Sequence, residues 1–544
     1  MTGLQSIDHV ILLMLENRSF DHLLGYLYPE SDTFDGLDGT ESNRDAAGTA
    51  ASVYPITPQH ENAYYYPLAN PAEGFEATNQ QLFSSPTAPD GGNATNNGFV
   101  TSFAGELAEP THPLDPKLVG AQPSSIMGMY SPETLPVLCG LAKGFAVCDR
   151  WFASVPTQTF PNRAFAAAGT SLGYIDNSAR GTPLFNTPSV FGKLAEGGQT
   201  WKIYGYSKLP LTANDFPDTA NPGPRGMVES GFDKFQSDAA SGQLAAFSYI
   251  EPEWAQYRNK HNFQLENDQH PVSNLAVGEK LIYDVYAALR SNQAVWEKSL
   301  LIITYDEHGG NYDHVPPETG ATPPDNKTWA GFDFTRFGVR VPAVIVSPLI
   351  PAATKFRAPA GSPPYDHTSI IATLRARFNL GPLGKRDAIA PHLGPVLTLP
   401  QPRRDDPLNG ITPPTAANPV LQDGSAPIGA APSSFLEAKA IAAATLPVPN
   451  ESIDNPEKTV AELSTAANQY AFIQDRLQAW EAAGKPHSPT HNQRRTSRGH
   501  FNEFPKLLGT ETHPKAAATR PAENRWRAIS VWSASRYGLK AGCT

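Results

Sequence analysis

Hydrophobic positions along this chain fall into short continuous runs, set apart by polar, turn-rich segments and by a few stretches of helical period. Residues 7–15 form one run, which ends abruptly at Glu16 and Asn17. Residues 299–305 form another, which ends at Asp306 and Glu307. Runs this apolar read as strands buried on both faces, the habit of parallel sheets. Residues 145–149, 201–206, 246–250 and 341–346 are shorter strand candidates. Helical spacing marks 132–143, through Thr134, Leu135, Leu138, Leu141 and Ala142. It marks 274–289 through Leu275, Leu281, Ile282, Val285 and Leu289, with Asn274 placed to cap the helix. Residues 369–378 read as a further helix. Strands alternating with helices predict an α/β fold, a three-layer α/β/α sandwich around a mostly parallel sheet.

The polar stretches add detail. Residues 30–125 are rich in Gly, Pro, Asn, Asp and Ser with little periodicity, and predict long capping loops with short helices. After residue 395 the character changes. Residues 1–395 read as the core domain and 396–544 as an appendage: a Pro-rich linker over 396–432, helices over 433–445 and 458–483, and a basic tail from Lys485. The second helix carries Val460, Leu463, Ala467, Tyr470, Ile473, Leu477 and Trp480 on one stripe, which suits packing against the core.

Composition bounds the partners. The 544 residues allow one large α/β domain with elaborations. A formal net charge of −11 does not favour nucleic acid, and no nucleic-acid partner is expected. Residues 481–544 run against that trend, with eleven Lys/Arg to four Asp/Glu, and read as a solvated basic surface. Three cysteines make no disulfide framework; Cys139 and Cys148 read as buried thiols, a pairing between them being the alternative. No stretch is long and apolar enough to span a membrane. The N-terminal residues show no signal-peptide pattern. The expectation is a protein that stays inside, leaves by a route needing no such peptide, or has lost its signal.

The two run ends carry candidate chemistry. Sites in open α/β sheets form beyond the carboxyl ends of the strands. Were the two runs neighbours, Glu16, Asn17, Asp306 and Glu307 would converge there, and three carboxylates in one place call for a cation among them. Ser154–Arg163 is a third signal. Pro161 suits a first helical turn and the residues after it favour helix, so Thr159 is predicted just before a helix N-terminus. There it would meet free amides and a positive dipole, a place for an anion, and could serve as a nucleophile; an ordinary Thr-rich turn and N-cap is the alternative. Gly169-Thr-Ser-Leu-Gly173 formally matches a serine-hydrolase elbow, which would make Ser171 the nucleophile of a metal-independent enzyme. Such an elbow follows a buried strand, whereas the residues before it here look helical.

Six motifs in order carry a resemblance: Leu15-Glu-Asn-Arg-Ser-Phe-Asp21, Ile126-Met-Gly-Met-Tyr130, Thr159-Phe-Pro-Asn-Arg163, Tyr305-Asp-Glu-His-Gly-Gly310 with Tyr312-Asp-His-Val-Pro-Pro317, Gly338-Val-Arg-Val-Pro342 and Tyr365-Asp-His-Thr-Ser-Ile370. Over about residues 5–380 the chain resembles the bacterial and fungal phosphoesterase family of phosphatidylcholine-type phospholipases C and AcpA-like acid phosphatases. The resemblance implies an alkaline-phosphatase-like core and a phosphoric ester hydrolase with a phosphothreonine intermediate. It implies a metal held by Glu16, Asn17, Asp306, Glu307 and the nucleophile Thr159. It implies catalytic roles for His270, His314 and His367, and substrate-binding roles for Asn162 and Arg163; His308 is expected to face away. The oxygen-rich donor set favours Ca²⁺ or Mg²⁺ over Zn²⁺ or Mn²⁺. The expected substrate is a phosphate ester, a phospholipid among the candidates. Two departures stand out. The loop Asn70–Asn79 lacks the histidine many relatives have there, and His112 is the candidate to replace it. The appendage is helical, whereas the larger phospholipases C carry extra β domains. A catalytically weak binding or effector protein on the same scaffold is the competing class. A sulfatase is a weaker rival, since no C/S-x-P-x-R run occurs.

Overall fold

The two apolar runs become neighbouring parallel strands, β1 (His9–Leu15) and β6 (Ser299–Tyr305), paired residue for residue from His9 opposite Ser299 to Leu15 opposite Tyr305. Every residue of β6 is buried, as is β1 beyond His9, because helices cover both faces of the sheet. The computed structural model describes residues 3–484 apart from 90–92, 112–116, 179–182, 256, 259–262, 265, 418–433 and 450. His112, part of the linker and the basic tail lie outside these residues.

Six more strands complete the sheet: β2 (Ala146–Cys148), β3 (Trp201–Gly205), β4 (Gly226–Ser230), β5 (Phe247–Glu251), β7 (Ala343–Val346) and β8 (Thr354–Phe356). Their order is β8-β2-β7-β6-β1-β5-β3-β4, and β7 alone runs against the others. The edge strands β4 and β8 carry no long apolar run, and sequence pattern does not reveal them. Helices Pro136–Gly144, Phe232–Ser241 and Leu275–Arg290 pack as one group, and Thr159–Ala168, Val190–Glu196 and Thr368–Phe378 as another. These are the outer layers of an α/β/α sandwich. Asn274 caps its helix as expected, its side chain accepting the Ala276 N–H. Cys139 and Cys148 are buried free thiols.

The loop-rich region contains helices Phe75–Phe83 and Phe99–Ala108. The expected helix 458–483 is two, Pro456–Ala461 and Ala466–Ala482, because Thr465 starts the second by accepting the Asn468 N–H at 3.2 Å. With Ser434–Ala444 they share one apolar cluster with Phe160, Ala164, Leu211, Phe216 and Trp254, and belong to the same compact unit as the sheet. Lys439 reaches into that cluster. Its ammonium meets the Asp215 carboxylate and the Leu211 carbonyl at 2.8 Å, over the ring of Phe160.

Candidate active site

Because Leu15 faces Tyr305, the next residues of β1 and β6 leave the sheet together. The Asn17 backbone N–H donates to Asp306 Oδ1 at 3.0 Å, and the Glu307 N–H donates to the same oxygen at 2.8 Å. Asn17 sits at φ +60°, a left-handed conformation costly for a non-glycine residue and tolerated where the surroundings fix it. Gly309, also at φ +60°, makes room: a Cβ there would lie 2.3 Å from the Asn17 carbonyl oxygen.

Thr159 arrives from the other side. It is the first residue of its helix, with Gln158 at the N-cap, and its hydroxyl donates to Glu16 Oε1 at 3.3 Å with Asn17 Oδ1 at 3.5 Å. The helix end offers fewer amides than expected, since the Phe160 N–H already donates to Asn177 Oδ1 at 2.8 Å and Pro161 has none. Asn162 and Arg163 support the site from beneath. Asn162 Nδ2 donates to the carbonyls of Val155, Thr157 and Gln158, and its Oδ1 accepts the Val155 N–H, so it fixes the turn ahead of Thr159. Arg163 Nε binds Asp306 Oδ2 at 3.0 Å, and its other nitrogens reach the Leu15 carbonyl at 3.0 Å and the Tyr249 hydroxyl at 3.1 Å. Both side chains hold Thr159 and Asp306 in place.

Glu16, Asp306 and Glu307 are completely buried together. Burial raises the pKa of each, and the neighbouring carboxylates push Glu16 and Glu307 further: Asp268 and Asp306 for the first, Glu73 and Asp306 for the second. Arg163 is the cation beside Asp306. Glu16 Oε2 and Glu307 Oε1 are buried with no hydrogen-bond partner. Two orphaned carboxylate oxygens beside an amide and a hydroxyl are a donor set suited to a hard divalent cation, which removes both the repulsion and the missing bonds.

A tighter acidic group, Asp21, Asp313 and His314, lies elsewhere, with ligand atoms within 4.8 Å of one another. Arg340 fills the cation's role there: its guanidinium binds Asp21 Oδ1 at 2.8 Å and Asp313 Oδ1 at 2.9 Å, while His314 Nδ1 lies 2.7 Å from Asp21 Oδ2. The group is already balanced by protein charges. His314 belongs to this ion-pair cluster, its backbone N–H and its Nδ1 both meeting Asp21 Oδ2 at 2.7 Å.

The other histidines divide. His367 is buried with both ring nitrogens engaged, Nδ1 accepting from Trp151 Nε1 at 3.3 Å and Nε2 donating to the Asp306 carbonyl at 2.6 Å. Burial lowers its pKa to about 4, and its Nε2 braces the Asp306 backbone. His308 does not face away: its Nε2 meets Gln81 Oε1 at 2.8 Å, but its Nδ1 lies 3.2 Å from Glu307 Oε2. His270 faces the site. Burial opposes its charging, but Glu73 and the carboxylates of Glu16 and Asp268 hold its pKa at about 10.

Glu73 is the residue that sequence reasoning missed. It stands in the loop that lacks the expected histidine, and its carboxylate accepts from Asn17 Nδ2 and Gln158 Nε2 and lies 3.6 Å from His270 Nε2. Gly310 allows this approach, a Cβ there falling 2.4 Å from the Ala72 carbonyl oxygen. Glu73 and Gln158 also line an open cleft of about 1330 Å³, together with Phe75, Ile175, Trp329 and Phe332. Ser171 is no rival nucleophile. It is buried in the turn after the Thr159–Ala168 helix, and its hydroxyl donates to the Tyr174 carbonyl at 2.7 Å.

The family description Phosphoesterase family matches residues 7–381. Non-specific phospholipase C1 of Arabidopsis thaliana is 35% identical over 398 residues, which cover 71% of this chain and 69% of that protein. Phospholipase C B of Mycobacterium tuberculosis is 29% identical over 430 residues, covering 69% and 74%. Among solved structures, a protein in the alkaline phosphatase superfamily from Vibrio parahaemolyticus is 12% identical, covering 62% of this chain and 75% of that one, with a TM-score of 0.29. The matched span runs from the start of β1 past Asp306, Glu307 and His367, and with it the chain belongs to the Phosphoesterase family, as an enzyme that hydrolyses phosphoric esters.

Proposed function

We propose that this chain is a divalent-cation-dependent phospholipase C-type phosphodiesterase with Thr159 as its covalent nucleophile. The observation that carries the reading is the Thr159 hydroxyl, 3.3 Å from Glu16 Oε1, in a buried group that also holds the orphaned oxygens of Glu16 and Glu307. Glu16, Asn17, Asp306, Glu307 and Thr159 would hold the cation, with Ca²⁺ or Mg²⁺ suited to such oxygen donors. When bound, such an ion eases loss of the threonine proton and offsets charge on the phosphoryl oxygens.

The chain's own groups supply the rest. Thr159 Oγ forms a bond to phosphorus while the bond from phosphorus to the leaving alcohol breaks. The hydroxyl proton passes toward the Glu16 carboxylate, and His270 protonates the departing alcohol. Water then attacks the phosphothreonine, His270 takes its proton back, and the threonine oxygen regains its own. Arg163 and Asn162 keep nucleophile and Asp306 fixed throughout. The apolar wall of the cleft at Phe75, Ile175, Trp329 and Phe332 suits a lipid alcohol, and Trp329 is the most exposed of the large apolar side chains there, at 39%.

The test compares p-nitrophenyl phosphate with p-nitrophenylphosphorylcholine, after exhaustive chelation and after adding back Ca²⁺ or Mg²⁺. Cation-restored cleavage of the choline diester, abolished by Thr159→Ala in a protein with an unchanged circular-dichroism spectrum, is the expected result. An active Thr159→Ala protein would remove the nucleophile from the mechanism. Turnover of the monoester alone would replace the phospholipase reading with an acid-phosphatase one.

A further inference from the structure

Glu73 places a further carboxylate beside a group that, on the reading above, binds a negatively charged phosphoryl centre. Its position is not incidental. The Asn17 and Gln158 side-chain amides donate to it, and His270 Nε2 stands 3.6 Å away, so three donors from three separate segments converge on one carboxylate. It is only 8% exposed, and it lines the cleft together with Gln158, the residue that precedes Thr159. Its loop is braced by Gln81 Nε2, which donates to the Ala72 carbonyl at 2.8 Å, and by the close packing at Gly310. Among the donors that surround it, Asn17 also lies against Thr159, its Oδ1 3.5 Å from the hydroxyl.

A phosphodiester carries one negative charge and a phosphomonoester close to two at neutral pH. A fixed carboxylate at the rim of a buried site penalises the second charge, and low local dielectric enlarges the penalty. We propose that Glu73 is a specificity-determining residue, which restricts this site to monoanionic phosphodiesters by holding a carboxylate where the extra charge of a monoester would fall. The proposal rests on the phosphodiesterase reading above and names what that site selects. Glu73 also occupies the donors that a free phosphate ion would take, so it limits retention of inorganic phosphate in the same way.

The experiment uses the full chain as wild type, Glu73→Gln and Glu73→Asp. One readout is the ratio of kcat/KM for p-nitrophenyl phosphate to that for p-nitrophenylphosphorylcholine. The other is the affinity for inorganic phosphate by calorimetry, which needs no turnover. Glu73→Gln, close in size but uncharged, is expected to raise the monoester-to-diester ratio about tenfold or more and to tighten phosphate binding by a similar factor. The gain in the ratio should appear in KM for the monoester rather than in kcat. Glu73→Asp, which keeps the charge, should stay close to the wild-type ratio. A wild type that cleaves the diester, with the ratio and phosphate affinity unmoved in Glu73→Gln, overturns the proposal and leaves the phosphodiesterase reading standing. A wild type that cleaves neither ester defeats that reading, and the calorimetry then decides the charge filter by itself. Glu73→Ala is the second variant if Glu73→Gln misfolds, and the same two outcomes apply to it.

Discussion

Arg163 holds Asp306 Oδ2 through its Nε at 3.0 Å, while Asp306 Oδ1 takes the backbone N–H groups of Asn17 and Glu307. One carboxylate thereby ties the helix that begins at Thr159 to the ends of two strands. Arg163→Ala would leave that carboxylate buried without its cation and is expected to cost about 3–5 kcal/mol. Arg163→Lys keeps a charge but cannot also reach the Leu15 carbonyl and the Tyr249 hydroxyl, and should cost about 2 kcal/mol. Urea unfolding midpoints check both. An Arg163→Ala protein as stable as wild type would mean that Asp306 is balanced by something else.

Cation binding should appear as stability. A ligand at about 100 times its Kd adds about 2.7 kcal/mol when it binds only the folded state. Chelated wild type is therefore expected to melt several degrees below protein supplied with Ca²⁺ or Mg²⁺. Glu16→Gln and Glu307→Gln remove carboxylates whose second oxygens are orphaned, and both should lose the increment. Thermal melts that coincide with and without every divalent ion tried would count against the site.

Gly310 and Gly320 make a matched pair. Both have positive φ, +70° and +79°, but only at Gly310 would a Cβ strike backbone, that of Ala72. Gly320→Ala should cost about 1 kcal/mol, the conformational term alone. Gly310→Ala adds displacement of the loop that carries Glu73, and is expected to lose clearly more stability and to alter substrate preference as well. Equal effects of the two substitutions would show that the loop yields freely.

The His314–Asp21 pair sets a pH dependence away from Thr159. Burial alone would raise the Asp21 pKa, but His314 and Arg340 bring it below the ordinary value. Burial likewise opposes protonation of His314, and Asp21 raises its pKa nonetheless. The His314 contribution is thus fully present below its unfolded pKa of about 6.5 and is lost as pH rises through the higher folded value. The Asp21 contribution is present above about 3.9 and is lost as pH falls through the lower folded value. His314→Gln should be less stable than wild type by about 1 kcal/mol near pH 5.5, with the gap closing at alkaline pH. A constant gap from about pH 5 to about pH 9 would mean that the pair contributes by packing alone.

What the sequence makes legible follows from how each residue earns its place. Strands β1 and β6 are readable because burial on both faces demands unbroken apolar runs, and their ends name Glu16, Asn17, Asp306 and Glu307 directly. Strand β4 is not, since an edge strand can expose Met227 at 46%. The histidines show the limit more sharply. His367 and His314 stand in motifs as telling as that of Thr159, yet their contacts are made with partners far away in sequence, Trp151 and the Asp306 carbonyl for one and Asp21 for the other. Glu73 leaves no local trace at all. It is a lone carboxylate in an aperiodic Pro/Gly loop, and only the close approach at Gly310 brings it beside Asn17 and His270.

The donor set is divided between two strands that touch in space but stand far apart in the chain; Asn17 and Asp306 are 289 positions from each other. Strand β1 emerges first in synthesis, and must wait for nearly three hundred further residues before β6 exists to pair with it. Closing so long a loop is entropically slow, and a partly folded chain without that pairing holds only half of the site. The pairing that completes the centre of the sheet is the same event that brings the two halves of the proposed donor set together.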